Sequence, residues 1–307
     1  MTDYLLKRII GGVFTLIGVS LLVFLLVRLL PGDPARLVAG LTASPEEVAA
    51  VRTRMGLDEP LLVQYFGFAG DLARGDLGRS VISREPVTTE ILARFPATAQ
   101  LAFVTMALTA VVGVALGIVS ALYQNRFLDR FISFATLLGI SLPSYALGLF
   151  LIYIFAVKLR LLPAAGADSW QGIILPALTL TLIFIALLWR MTRVSLVEVL
   201  SQDYIRVARA KGASGSRIVF HHALKNAMIP VLTVVGLQLG ALLSGAAILT
   251  ETVFGWPGIG LLMSDAIFAR DYPTVQALVL FNAFLFVTLN IIIDLAYAAV
   301  DPRVRYG

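Results

Sequence analysis

The residues with the most chemical capacity are crowded into one stretch. Residues 190–227 read RMTRVSLVEVLSQDYIRVARAKGASGSRIVFHHALKNA, with Arg190, Arg193, Arg206, Arg209, Lys211, Arg217, Lys225, both histidines of the chain (His221, His222) and only Glu198 and Asp203 as acids. Two adjacent histidines without a carboxylate or cysteine cluster do not make an acid–base pair or a metal cage. What such a set can do is bind. Its cations suit acids on a partner protein or the headgroups of anionic lipids. Glycines and apolar residues at helical spacing distinguish it from a plain polybasic run and favour a protein partner. Asp203 is placed to cap a short helix with Ile205, Val207 and Ala208 on its apolar face, closed by Gly212 and Gly215. A second short helix is expected from Ser216 through Ile218, Phe220 and Leu224.

A second set of polar residues lies inside apolar runs. Pro143 stands between Ser141 and Ser144, Gln238 lies among glycines, and Asn282, Asn290 and Asp294 fall in the last run. A mid-span proline frees backbone carbonyls, which serves either a packing kink or a wall facing substrate. Gln238 wants a partner in hydrocarbon. Asp294 is either an intramembrane functional carboxylate or the partner of a basic residue in 190–227. Ser141, Pro143, Ser144, Gln238 and Asn282 are the candidate translocation path.

The elements that hold these residues are membrane spans. The chain has 307 residues, 59% hydrophobic and 14% charged, with mean hydropathy +0.89 and net charge +5. Soluble domains carry about 25% charged residues, so this composition belongs in a bilayer. The basic residues sit in loops and at span ends, which is no footprint for nucleic acid. With no cysteine, disulfide and thiolate chemistry are excluded. Apolar runs predict six spans, at about 9–30, 96–122, 131–157, 172–190, 228–250 and 277–299. The first lacks a cleavage site and reads as uncleaved.

Lys7, Arg8, Arg126, Arg130, the basic residues of 190–227, Arg303 and Arg305 fall on one side. The short loops of the other side hold only Lys158, Arg160 and Arg270. That asymmetry places both termini and 190–227 in the cytoplasm. The chain divides into a tail and first span (1–30), an external helical insert (31–95), a five-helix core (96–300) containing 190–227, and a cytoplasmic tail (301–307). In the insert, Ser44-Pro45-Glu46-Glu47 has the makings of a capping box. Residues 60–73 form a further helix, and a third starts near Thr88. Residues 251–276 hold Gly255, Trp256, Pro257, Gly258 and Gly260 and read as a broken segment at the outer interface or lining a cavity.

Several motifs together resemble one family over nearly the whole chain. They are YLLKRII, LVRLLPGDPA with LPGDP at 30–34, DYIRVARAKGASGSRIVFHHALKNAMIP at 203–230, ETVFGWPGIG at 251–260, RDYP at 270–273 and DPRVRYG at 301–307. The chain resembles the membrane subunit of a bacterial or archaeal ATP-binding-cassette importer of the dipeptide/oligopeptide/nickel class. In the superfamily's coupling motif, Arg206, Val207 and Ala208 stand at the Glu-Ala-Ala positions and Gly212 at the glycine. His222, Leu224 and Lys225 stand at its Ile, Leu and Pro. The departures are those of the peptide/nickel branch.

The resemblance implies an all-α, six-span polytopic protein of the type I importer permease fold, with an external insert after the first helix. It implies one half of a heterodimeric pore with a homologous second permease subunit, in the cell inner membrane. Two separate ATPase subunits would bind ATP and magnesium, while this chain binds no cofactor. An extracytoplasmic substrate-binding protein would deliver cargo. Asp203, Arg206, Ala208, Arg209, Lys211, Gly212, Arg217, His222 and Leu224 would couple the chain to the ATPases. The cargo would be a dipeptide or oligopeptide, with a nickel or metal chelate, glutathione or an oligosaccharide as alternatives. A different class, an ion-coupled secondary transporter, would need a mid-membrane carboxylate, for which Asp294 is the candidate. No phosphate-binding Gly-rich loop ending in Lys-Ser/Thr is present, so the ATPase is not this chain.

Overall fold

The computed structural model describes residues 2–29, 34–39, 43–54 and 56–300. Most of LPGDP (30–33) and the tail 301–307 lie outside the described residues. The described chain is helical. Its one β feature is an isolated bridge between Arg79 and Pro86. Five helical segments are long and apolar enough to cross a membrane: Leu6–Leu26, Val87–Leu122, Trp170–Leu200, Gly215–Ala246 and Tyr272–Leu295. A sixth crossing exists if the bent pair Phe127–Ser141 and Ser144–Lys158 counts as one span.

The first span is α1 (Thr2–Leu29), followed by α2 (Pro34–Ala39), α3 (Pro45–Arg54) and α4 (Leu61–Ala73). The α3 start is a closed capping box: the Ser44 amide donates to Glu47 Oε2 at 2.7 Å, and the Glu47 amide donates to Ser44 Oγ at 3.3 Å. Next comes α5 (Val87–Leu122). The helix expected to start near Thr88 does lead into the membrane, as one piece with the second span. It is the first turns of the second span, which begins just after Pro86 and runs through Pro96 without a break.

The third crossing corrects an expectation. A kink at Pro143 was anticipated; instead the chain breaks between α6 (Phe127–Ser141) and α7 (Ser144–Leu151), and the two axes differ by 105°. Leu142 and Pro143 are both extended, with ψ of 136° and 140°. Proline pushes its predecessor out of the helical region, so helix cannot continue through Leu142. Pro143 then opens α7, its carbonyl accepting from the Leu147 amide at 3.0 Å. A π-helical segment, Ile152–Lys158, completes the crossing.

The centre of the fold is the packing of α5 against α8 (Ile174–Leu200). A β-carbon at Gly117 would lie 2.5 Å from Thr192 Cβ and 3.0 Å from the Trp189 carbonyl oxygen. Only glycine permits the two backbones to approach that far, as small residues do in membrane helix pairs. Leu101, Ala102, Ala177, Leu180, Leu242 and Trp256 fill the adjoining core.

After α8 come α9 (Asp203–Ala210) and α10 (Gly215–Arg217). A π-helical stretch, Ile218–Ala223, runs on into α11 (Leu224–Ala241). The fifth crossing then kinks at Ser244 and Gly245, where Gly245 has φ 121°. Next is a hairpin of α12 (Ile248–Phe254) and α13 (Ile259–Phe268), and finally α14 (Tyr272–Val300). The segment 251–276, read as broken, is this hairpin and the entry to α14. Its clasp is Glu251, fully buried, whose Oε2 accepts from the amides of Gly260 at 2.7 Å and Leu261 at 3.3 Å. The Thr98 hydroxyl accepts from the Ile259 amide at 2.9 Å, and Trp256 Nε1 donates to the Ala97 carbonyl at 2.8 Å, so the hairpin is bound to α5. A β-carbon at Gly258 would stand 2.3 Å from Glu251 Oε2, so glycine there makes room for the carboxylate.

Asp271, at the entry to α14, is 3% exposed. It accepts from the Ser80 hydroxyl at 2.5 Å, the Val81 amide at 3.2 Å, and the Thr274 amide and hydroxyl at 3.3 and 2.9 Å. One carboxylate thus ties the loop after α4 to the last span. Asp294 corrects a second expectation. Its Oδ2 lies 3.1 Å from Arg8 Nε of α1, not beside a cation of 190–227.

Candidate docking site

The stretch 201–227 forms a knob where α8 ends and α11 begins. Ile205, with no exposed surface, seats α9 in a cluster of Ala121, Leu196, Ile218, Ala223 and Ala227. Burying one such side chain stabilises by roughly 1.5–3 kcal/mol and anchors an eight-residue helix that is too short to persist alone. The Asn226 amide donates to the Tyr204 hydroxyl at 2.9 Å and links α9 to α11.

The turn that follows α9 is set by Gly212. Its φ is +82°, with no other atom within 4 Å of where a β-carbon would stand. Glycine is required by the left-handed backbone, not by crowding. The Gly212 amide donates to the Arg209 carbonyl at 3.0 Å and the Ala213 amide to the Ala208 carbonyl at 3.1 Å, which closes the helix end. Ser214 then caps the next helix, accepting from the Arg217 amide at 3.4 Å.

Each candidate coupling residue has a definite place here. Arg206, Arg209, Lys211, Gly212 and Arg217 are exposed, while Ala208, His222 and Leu224 are half-buried behind them. Asp203 is exposed and pairs with Arg206 at 3.1 Å. Five details differ from expectation. Val207 is 54% exposed, off the face that Ile205 buries. Gln202, not Asp203, occupies the position before α9. Gly215 opens a helix instead of closing one. Phe220 is 62% exposed, off the buried face. The second helix is not a separate short one, because it continues through the π-helical stretch into the span. Beside α9 lies a cleft of about 610 Å³, lined by Leu122, Leu200, Arg209, Ala213, Ile218 and Phe220 among others. The knob therefore presents exposed cations and, beside α9, a mainly apolar recess with Arg209 in its lining.

The candidate path residues are not brought into one place. Ser141 and Pro143 are exposed and Ser144 half-buried at the α6–α7 break, with the Ser141 hydroxyl donating to the Leu137 carbonyl at 2.8 Å. Gln238 is buried on α11, its Nε2 donating to the Phe184 carbonyl of α8 at 2.9 Å. Asn282 is half-buried on α14 beside the Gly245 kink. Gln238 Oε1 and Asn282 Oδ1 are buried acceptors without a hydrogen-bond partner among the described residues. Among those residues, no three His, Asp or Glu side chains are grouped to hold a metal ion.

The strongest polar contact near the knob was invisible in the sequence. Arg193, read as one cation of the basic stretch, turns into the bundle and pairs with Asp129 of α6. Nothing in the spacing of two residues 64 positions apart signals it.

Comparison with known proteins agrees with this architecture. Residues 1–102 match the family described as binding-protein-dependent transport system membrane component, N-terminal, and residues 113–306 match binding-protein-dependent transport system inner membrane component. Glutathione transport system permease protein GsiC of Shigella flexneri and that of Escherichia coli are each 47% identical over 306 residues, covering 100% of both chains. The Salmonella paratyphi A protein of the same name is 48% identical over the same length. An inward-facing MetNI methionine ABC transporter structure has a TM-score of 0.60 at 20% identity, covering 71% of this chain and 99% of that one, which is a likeness of fold. With all-helical crossings, an insert after the first helix, and near-half identity to these permeases from end to end, the chain belongs to the family of binding-protein-dependent transport system inner membrane components.

Proposed function

We propose that this chain carries small peptides, with glutathione, itself a tripeptide, as the first cargo to test. The observation that carries this reading is the full-length 47% identity to permeases named for glutathione transport. The chain forms half of a pore with a homologous permease subunit in the cell inner membrane, with both termini and the knob in the cytoplasm. ATP and magnesium bind on two partner ATPase subunits, and a substrate-binding protein presents cargo at the opposite face.

In this reading the knob is the contact with an ATPase. Arg206, Arg209, Lys211 and Arg217 supply charge to acids on that partner, and Ala208, Gly212, His222 and Leu224 shape the surface behind them. Asp203 holds Arg206 in place. Closure of the ATPase pair moves the knob as a unit, and the spans shift between two packings. Ser141, Pro143, Ser144, Gln238 and Asn282 line the path. The acceptors of Gln238 and Asn282 are buried and unpartnered in this packing, and they become hydrogen-bond sites for a peptide in the packing of the spans that uncovers them.

The test is uptake of labelled glutathione and of di- and tripeptides in cells lacking the chain and in cells that regain it. Restored glutathione uptake, competed only weakly by other peptides, supports the specific cargo. Restored peptide uptake without glutathione uptake moves the assignment to peptides in general. Unchanged uptake of both overturns the reading. Carriage by the purified chain alone, driven by an ion gradient, would overturn the ATP-coupled reading.

A further inference from the structure

We propose that α4 of the insert lies in the outer leaflet of the bilayer, with Leu61, Leu62 and Phe66 against lipid, and does not stand in water above the membrane. The sequence of α4, LLVQYFGFAGDLA, has no charged residue before Asp71, and none of its side chains is buried within the chain. Leu61, Leu62 and Phe66 are 57%, 73% and 70% exposed. A helix that is apolar on every side belongs in a core or in lipid.

The depth of α4 follows from its inward face. The Tyr65 hydroxyl is hydrogen-bonded to Ser20 Oγ at 2.9 Å, and the Phe24 ring meets Tyr65 at 5.3 Å and Phe68 at 5.7 Å. Ser20 and Phe24 both lie inside the apolar span Leu6–Leu26. Ser20 is about 9 Å below the outer end of that span, at roughly 1.5 Å per residue. Tyr65 thus reaches down beside hydrocarbon. At this level of the apolar span α1 also leaves Leu21, Leu22 and Leu26 exposed, as a helix side in contact with lipid would.

Polar groups at this level are answered within the chain, as lipid requires. Gln64, the one polar side chain in the uncharged stretch apart from the bonded Tyr65 hydroxyl, accepts from Arg28 Nε at 2.8 Å. It donates to the carbonyls of Leu57 at 3.1 Å and Glu59 at 2.7 Å. Arg28 also lies 3.5 Å over the Phe24 ring. The neighbouring α3, PEEVAAVRTR, is charged at both ends and exposed, as a water-side helix should be.

The chain has no cysteine, so an introduced cysteine is the only one it carries, and it is labelled before the partner subunits are added. The full chain carrying Leu62→Cys, Phe66→Cys or Glu46→Cys is labelled with a nitroxide and then reconstituted with its partner subunits in vesicles of phosphatidylethanolamine and phosphatidylglycerol. Collisions are measured with oxygen, which concentrates in lipid, and with a water-soluble nickel chelate. At 62 and 66 oxygen collisions should exceed nickel collisions several-fold, with the reverse at 46. Nickel access at 62 and 66 equal to that at 46 would overturn the proposal and leave α4 in water. Protection from both reagents would overturn it in favour of cover by a protein subunit. Val63→Cys, also on an exposed position, gives the same reading if either variant fails to insert.

Discussion

Arg193 holds Asp129 with both arms of its guanidinium, Nε to Oδ1 at 2.8 Å and Nη2 to Oδ2 at 2.7 Å. Ser120 Oγ also donates to Oδ1, and the Asn125 amide to Oδ2 at 2.9 Å. One carboxylate therefore joins the end of α5, the start of α6 and the lower part of α8. The Asp129 side chain is 6% exposed and that of Arg193 23%. Removing either partner strands the other in a poorly hydrated place, at about 3 kcal/mol. Thermal unfolding midpoints of the detergent-purified protein should fall in the order wild type, Arg193→Lys, then the single variants Arg193→Ala and Asp129→Ala. Lysine keeps the charge and loses the fork. Equal midpoints for wild type and Arg193→Ala would show the pair to be idle.

Gly212 separates backbone strain from partner contact. With φ at +82° and open space around it, Gly212→Asn should fold with little penalty, because asparagine tolerates this region. Gly212→Val should cost about 1–2 kcal/mol locally. If the turn alone matters, Asn retains peptide uptake and Val loses it. If an ATPase packs on the turn, both variants lose uptake while membrane insertion and abundance stay unchanged. Full uptake with Gly212→Val would remove the turn from the coupling mechanism.

The Glu251 clasp makes a graded prediction. Glu251→Gln keeps an acceptor for the Gly260 and Leu261 amides and should retain most of the uptake. Glu251→Leu leaves those amides unanswered in the interior, at about 1–3 kcal/mol each. Gly258→Ala drives a methyl group into the carboxylate from the other side and should resemble Glu251→Leu. Unfolding midpoints and uptake, measured together, check the order.

Acidification acts on α3. The Ser44 amide, and then its hydroxyl, hold the Glu47 carboxyl below the ordinary glutamate value. A carboxyl lowered in the folded state stabilises fully above the unfolded value, and that stabilisation is lost as pH falls through the folded one. Amide-exchange protection at the start of α3 should therefore decrease on acidification; Ser44→Ala, which keeps the amide and loses the hydroxyl, should remove the smaller part of the change, and Glu47→Gln should abolish it. Protection that rises with acid would contradict the capping box.

Spans and caps were legible because their signals are local. Apolar runs set the crossings, and Ser44 with Glu47 set a helix start within one turn. Ile205 was readable as a seat for α9 by its position among charged neighbours. What escaped depends on distant partners. Asp129 with Arg193, Ser80 with Asp271 and Arg8 with Asp294 meet only after the bundle assembles, and no periodicity announces them. The break at Leu142–Pro143 was underestimated because a proline signals lost helix without giving the angle. The exposed position of Phe220 was misread because α10 runs on into α11, which turns its faces with the span.

That continuity has a mechanical corollary. From Gly215 to Ala241 the chain is one rod of about 40 Å, at roughly 1.5 Å per residue. A pivot of about 5° at its midpoint swings each tip by roughly 1.7 Å in opposite directions, within the roughly 1–2 Å of small helix shifts. The far tip meets Ser244 and Gly245, where the helix is already unwound next to Asn282. In the proposed mechanism, a stroke delivered at Arg217 would travel along this continuous helix and reach the Ser244–Gly245 joint beside the Asn282 amide.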